Sequence, residues 1–390
     1  MIVRRLRPDE NGKLDAIQSL AFSSSYDMEE SDGGGLEDEV YGAFLDDGET
    51  LIATIFTPEY DSFYYGKSYK SVGIGGVATL PEYRRMGAIR AIFGEIFRLA
   101  PERGWATSFL YPFSYNYYRQ YGYERVMKRM RIKVPAYVLE KFPRNTSAKM
   151  YIKDGPVKKE EMLAVYNAYA ERYDCMFRRS NAWAYSAKPH KSQKLTYVWY
   201  DGETPAALAT FRCEDGVMNV SELCYTSPDA LRGILGFLRM FEGQVSEFKF
   251  RELPTDSELE LMLGEYVDTE YSLESGAMGR VLLPQMLLEN TVYPDEFGHF
   301  RLQIDDPLAY NRGVYAVEYV RGEAQVMRLP FDSPYDLSLG VPALSRILLG
   351  GERFDARRAS YMDGVKLSGT ADDFFRAFGG GRPNNLLEKF

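Results

Sequence analysis

Histidine is scarce in this chain of 390 residues: His190 and His299 are the only two. A histidine-based catalytic triad or a multi-histidine metal site therefore has no material in the first half of the sequence. Cysteine is almost as rare. Cys175, Cys213 and Cys224 are too few and too scattered for a disulfide framework, and with His190 they make no metal-ligand spacing. We expect no metal and a cytoplasmic protein. No run of about 18 apolar residues occurs, so no membrane-spanning helix is expected. Met1-Ile2-Val3-Arg4-Arg5-Leu6-Arg7 runs straight into charge, without the apolar core of a secretion signal. Positive charge is in deficit, with 47 basic against 56 acidic side chains and a net charge of -9. That balance argues against a general nucleic-acid binder and suits a cationic partner. Chemistry is left to Tyr, Asp, Glu, backbone amides or a terminus, and tyrosine is abundant at 30 residues.

Hydrophobic residues at 45% and charged ones at 26% describe an ordinary globular chain. At about 150 residues per domain, two to three domains are expected. The spacing predicts a strand over 2–6 and a helix over 8–23, with Leu14, Ile17, Leu20 and Ala21 on one face. An acidic stretch over 27–39, broken by Gly33-Gly34-Gly35, reads as a loop. Strands follow over 51–56 and 71–79, giving a mixed α/β layering.

Two segments carry chemistry. The first is Val77-Ala78-Thr79-Leu80-Pro81, followed by Arg84-Arg85-Met86-Gly87-Ala88-Ile89-Arg90 and a helix with Ile89, Ile92, Phe93 and Ile96 on one face. A helix N-terminus leaves its first amides unpaired and partly positive, and a glycine lets a phosphate approach the backbone. A plain strand–turn–helix joint with surface arginines would look the same. The second segment, 111–124, holds six tyrosines, among them Tyr118-Arg119-Gln120-Tyr121-Gly122-Tyr123. It is either a packed aromatic layer or the source of one hydroxyl acting as a general acid.

In this order the two segments resemble the GNAT superfamily of acetyl-CoA-dependent N-acyltransferases, whose loop reads Arg/Gln-x-x-Gly-x-Gly/Ala. The match departs at Ile89, where a small residue is usual. With the Val77–Pro81 segment and the Arg-Arg-x-Gly-x-x-Arg run, the pattern is more closely similar to the Eis-type ("enhanced intracellular survival") acetyltransferases. A repeat accords with this: 225–238 echoes 78–93, offset by 147 residues from Pro81 to Pro228, but without the paired arginines. From 281 onward, strands over 299–304, 313–320 and 324–329 and a helix over 343–349 resemble a sterol-carrier-like domain. The expected architecture is an α/β (mixed α+β) chain of tandem GNAT folds and a sterol-carrier-like domain. Its divisions are a catalytic domain over 1–147, a second, degraded one over 148–280, and a third over 281–390. The triple glycine 379–381 reads as a hinge.

The resemblance implies acetyl-CoA as co-substrate, bound by Val77, Ala78 and Thr79 as a strand pairs an amide-bearing chain. Arg85, Met86, Gly87, Ala88, Ile89 and Arg90 would cradle the pyrophosphate, with Phe113 and Ser114 beside it. It further implies Tyr118 as proton donor to the leaving thiolate and the C-terminal carboxylate, on Phe390, as base. An α-carboxyl with an ordinary pKa of roughly 3.5 needs desolvation or a bridging water for that task. Asp27 and Glu388 are expected to contact a small cationic amine such as an aminoglycoside or polyamine, or a protein lysine, drawn in by the acidic loop. A homo-hexamer is implied too. No nucleic-acid or membrane partner is expected. The alternative is a non-catalytic scaffold that holds acyl-CoA or lipid.

Overall fold

The computed structural model describes residues 1–22, 40–152, 154–180, 194–264, 267–369 and 371–388. They form two compact units. One comprises Met1–Val126, Ala277–Arg382 and, at the end of the chain, Glu388; the other comprises Met127–Gly276 and Pro383–Leu387. Among the described residues no helix is long and apolar enough to cross a membrane.

In the first unit the strands are β1 (Ile2–Arg5), β2 (Val40–Phe44), β3 (Leu51–Phe56), β4 (Glu59–Tyr64), β5 (Lys67–Thr79), β6 (Thr107–Leu110) and β7 (Glu124–Arg125). Their helices are α1 (Asn11–Phe22), α2 (Ala88–Arg103) and α3 (Tyr115–Arg119). The sheet runs β1-β2-β3-β5-β6, then the strand Met278–Val281, then β7, with β4 paired to the first half of β5. Strands β5 and β6 pair in parallel, and a parallel pair needs a crossover. The α2 helix supplies it. Ile89, Ile92, Phe93, Ile96 and Phe97 recur at helical spacing and are all buried, and Gly104, left-handed at φ 69°, closes the last turn on the Ala100 carbonyl. They pack against Ile52, Ile55, Val72 and Ile74 of the sheet and against Tyr118 and Tyr123. Each large apolar side chain buried this way contributes roughly 1.5–3 kcal/mol.

The α1 face differs from the one expected. Leu14 and Ile17 are buried, but Leu20 and Ala21 are exposed, and the third inward residue is Gln18. A polar side chain on the inward stripe is invisible to a hydrophobic pattern.

The second unit repeats the arrangement. Its sheet runs Glu270–Ser275, Lys128–Pro135, Glu247–Leu253, Val217–Tyr225, Thr204–Glu214, Leu195–Asp201 and Ala148–Met150. The helix Pro228–Leu238 connects the parallel pair Val217–Tyr225 and Glu247–Leu253. Two segments thus belong elsewhere than their place in the sequence suggests. Residues 127–147, assigned above to the first domain, lie in the second unit, whereas Met278–Val281 pairs with β6 and β7 of the first. Alternation identifies a strand but not the sheet it joins, because the partners are distant in sequence.

The remainder of the first unit is a five-stranded sheet in the order Glu323–Leu329, Gly313–Val320, Gly298–Asp305, Leu337–Gly340, Val365–Leu367. Its helix Val341–Leu349 packs on the strand Met278–Val281. Two glycines of the triple are closely packed, whereas Gly380 is exposed with open space around it. A Cβ on Gly379 would collide with the carbonyls of Phe354 and Phe375, and one on Gly381 would lie 2.7 Å from the Gly351 carbonyl.

Candidate active site

The site begins at a bulge in β5. Thr54 pairs with Ala78 and Phe56 with Gly75, so Gly76 and Val77 together oppose Ile55. Gly76 has φ 51°, and a Cβ there would sit 2.8 Å from the Phe56 ring, so only glycine fits. The bulge is held from α1. The buried Gln18 donates through Nε2 to the Gly76 carbonyl and to Thr54 Oγ1, each at 2.9 Å. Beyond the bulge, Ala78 and Thr79 still pair with β3, but pairing with β6 stops at Ile74 and Leu110. Among the described residues the second edge of 75–79 has no strand partner, so its backbone groups, the Gly76 carbonyl held by Gln18 apart, can pair an extended, amide-bearing ligand.

The chain then makes a 3-10 turn at Pro81–Tyr83 and passes two left-handed residues, Arg85 at φ 67° and Gly87 at φ 83°. Gly87 caps α2 with no side chain, and a Cβ on it would meet nothing within 4 Å. The first amides of α2 therefore face open space with the positive end of the helix dipole behind them. Arg84, Arg85 and Arg90 are exposed, and none forms an ion pair among the described residues. Arg90 donates to Gln120 Oε1 at 3.1 Å. Met86 is exposed, whereas Ala88 and Ile89 are buried in the core. That placement accounts for the tolerated bulk of Ile89: its side chain points away from the loop. Residues 85–90 thus form a positively charged, sterically open cradle for an anion.

Ser114 caps α3, its Oγ accepting from the Tyr117 amide at 3.4 Å, and Phe113 beside it is exposed. Tyr118 is 2% exposed. Its ring meets Phe113 at 5.4 Å and Tyr117 edge-on at 5.1 Å. Its hydroxyl has no hydrogen-bond partner among the described residues. Burial, with a smaller contribution from Tyr121, pushes the phenol well above its ordinary value and keeps it protonated. Tyr123, the other buried tyrosine of the motif, bonds Ser108 Oγ at 2.7 Å and is structural. Tyr121 stacks on Phe93 at 4.3 Å. The tyrosine cluster packs as an aromatic layer, and within it the Tyr118 hydroxyl has no hydrogen-bond partner among the described residues.

Asp27 and Phe390 lie outside the described residues. Glu388 is 3% exposed and groups with the unit that carries the cradle. The tail before it is packed, with Asn385 and Leu386 fully buried, Asn384 bridging Asp174, and Asn385 Nδ2 donating to the Glu252 carbonyl at 3.1 Å. Sequence reasoning passed over Gln18, Thr54 and Gly76. The Gly75-Gly76 pair inside a strand was the available signal of a bulge, whereas nothing local marks Gln18.

Residues 3–126 match an acetyltransferase (GNAT) domain, residues 175–281 match a second acetyltransferase (GNAT) domain, and residues 284–383 match a sterol carrier protein domain. The chain belongs to the GNAT acetyltransferases. As such it is an acyltransferase, built as two acetyltransferase domains followed by a sterol carrier domain, with an acyl-CoA as the group donor its fold implies. No curated protein matches it. Solved structures share the fold over the full length. A probable N-acyltransferase from Enterococcus faecalis is 21% identical, with 100% of this chain and 99% of that one covered and a TM-score of 0.83. A GCN5-related N-acetyltransferase from Anabaena variabilis is 18% identical, with complete coverage of both chains and a TM-score of 0.81. Eis1 from Mycobacterium abscessus is 16% identical, again with complete coverage, at a TM-score of 0.80. The expected Eis-type architecture is thus the one found.

The second acetyltransferase domain differs at the matching place. There Pro228 stands at the start of the helix itself, Ser227 Oγ takes the Ala230 amide at 3.1 Å, and Asp229 occupies the first turn. A capped amide and a carboxylate at a helix start disfavour a phosphate.

Proposed function

We propose that this acetyltransferase moves an acetyl group from acetyl-CoA to a primary amine of a cationic acceptor, an aminoglycoside, a polyamine or a lysine, by direct attack in a ternary complex. The observation that carries the reading is the pairing, in one unit, of an open anion cradle at α2 with the hydroxyl of Tyr118, a buried residue whose phenol has no hydrogen-bond partner among the described residues. Acetyl-CoA supplies a thioester whose carbonyl carbon takes the amine and whose sulfur leaves as the thiol. Val77, Ala78 and Thr79 hold the pantetheine by strand pairing. The amides of Arg85, Met86, Gly87, Ala88, Ile89 and Arg90 hold the pyrophosphate, with the arginine side chains adding charge and Phe113 and Ser114 bordering the site. A backbone N–H at the bulge, on Val77 or Ala78, faces the oxygen on which charge develops. Tyr118 gives its proton to the departing sulfur.

The amine loses its proton to the terminal carboxylate of Phe390, and Asp27 and Glu388 contact the acceptor. Glu388, buried and grouped with the unit that carries the cradle, supports its assignment as an acceptor contact. The second domain, its helix start capped and acidic, is non-catalytic. The reading extends to a cytoplasmic protein assembled as a homo-hexamer.

Free-thiol release from acetyl-CoA, measured with an aminoglycoside, a polyamine and a lysine peptide against a no-acceptor blank, tests the proposal. Turnover with one class is expected. The Tyr118→Phe variant is expected to lose about 10²–10⁴-fold in kcat while binding acetyl-CoA as before. Silence across the panel with acetyl-CoA bound would favour the scaffold reading instead.

A further inference from the structure

The segment that carries Tyr118 is pinned from behind by one buried side chain. Arg280, on the strand Met278–Val281, is 2% exposed and donates through Nη1 to the Tyr121 carbonyl. Through Nη2 it reaches Asp306 Oδ1 at 2.8 Å, and Asp306 is 1% exposed. The guanidinium lies over the Phe97 ring, 4.4 Å from its centroid. Gly122, next to the pinned carbonyl, is left-handed at φ 85°, and any Cβ on it would collide with the Arg280 guanidinium. The turn is in turn bonded to Tyr118, whose carbonyl accepts the amides of Tyr121 at 3.0 Å and Tyr123 at 3.4 Å.

Asp306 is itself fixed by the sterol carrier domain. Its Oδ2 accepts from Asn311 Nδ2 at 2.9 Å, its Oδ1 from the Leu308 amide at 2.9 Å, and Asn311 also donates to the Leu282 carbonyl at 2.8 Å. Tyr310 adds a hydroxyl bond to the Phe97 carbonyl at 2.9 Å. A charged pair placed this deep needs every partner it has, and a planar fork meets two acceptors in one geometry where an ammonium cannot.

We infer that Arg280 and Asp306 form a positioning pair through which the sterol carrier domain holds the Tyr118 turn in its reactive geometry. The inference rests on the reading of Tyr118 as proton donor and assigns this domain a mechanical part in acyl transfer. Arg280 touches no reacting atom. It acts through the Tyr121 carbonyl, and its loss is felt as misplacement of the phenol.

The test compares wild type, Arg280→Lys, Tyr118→Phe and the double variant in the thiol-release assay, using the amine that gives turnover, with acetyl-CoA affinity from calorimetry. Arg280→Lys is expected to lower kcat about 10- to 100-fold, the scale of a displacement of about 1 Å, with acetyl-CoA affinity held. In the Tyr118→Phe background the same change is expected to cost almost nothing more, since the group it positions is gone. A loss that multiplies in full on Tyr118→Phe, or an unaffected Arg280→Lys beside a crippled Tyr118→Phe, overturns the pair's role. A Tyr118→Phe variant as active as wild type instead strikes the reading of the donor. If Arg280→Lys does not fold, Arg280→Met with Asp306→Asn removes both charges together and leaves neither buried alone. Amide exchange supplies a readout independent of turnover. Faster exchange at 118–123 with unchanged protection in α2 is expected, and unchanged exchange at 118–123 overturns the inference.

Discussion

Two glycines in the site share a left-handed backbone but not a neighbourhood, and substituting each by alanine separates the two effects. Gly76 has φ 51° and Gly87 φ 83°, so each alanine incurs the left-handed cost of about 1–2 kcal/mol. At Gly87 nothing lies within 4 Å of the new methyl, and the cost stops there. At Gly76 the methyl lands 2.8 Å from the Phe56 ring, inside a sheet that cannot open. Overpacking of that kind adds about 1–3 kcal/mol, for a total of about 2–5 kcal/mol. Function runs the other way. The Gly87 methyl projects into the anion cradle and is expected to weaken acetyl-CoA binding in calorimetry, while the variant's loss of stability stops at the left-handed cost of about 1–2 kcal/mol. Gly76→Ala is expected to melt at a clearly lower temperature in a thermal scan. Equal destabilisation by both substitutions would refute the steric argument, and undiminished acetyl-CoA binding by Gly87→Ala would remove the loop from the site.

Two further outcomes follow from titration. Because burial raises the Tyr118 pKa, its proton is retained across the neutral range, so the pH–rate profile is expected to show no alkaline fall below about pH 10, the ordinary tyrosine value; a fall near neutrality that disappears in Tyr118→Phe would contradict this. The Arg4 hydrogen bond, with help from the Arg7 amide, lowers the pKa of buried Glu10 to about 2. Its stabilisation is complete above the ordinary carboxylate range and lost as pH falls through about 2, so Glu10→Gln should flatten the acid limb of a denaturation series, and an unchanged limb would discount the pair.

Much of the site was legible in one dimension because its parts are local. A glycine at a helix start, arginines around it, and a run of tyrosines keep their meaning wherever the chain puts them, since free helix amides and phenol chemistry depend on a few neighbouring residues. The strand 51–56 and the helix from 88 onward follow from periodicity alone, and the absence of histidine before residue 190 directed attention to tyrosine. Arg280 also left a trace, as a lone charge inside Ala277-Met278-Gly279-Arg280-Val281-Leu282, though a trace without a partner.

What only the tertiary structure decided is partnership. Nothing local in residues 128–135 and 278–281 marks the sheet they join, and long-range pairing placed each in the sheet its neighbours in sequence did not suggest. The Gly76 bulge became a built feature only once the Gln18 amide was found on it. Of the six tyrosines in 111–124, Tyr123 is hydrogen-bonded to Ser108, whereas the Tyr118 hydroxyl has no partner among the described residues. Pattern along a chain encodes what a residue can do, and packing among residues far apart in that chain settles which of them is left free to do it.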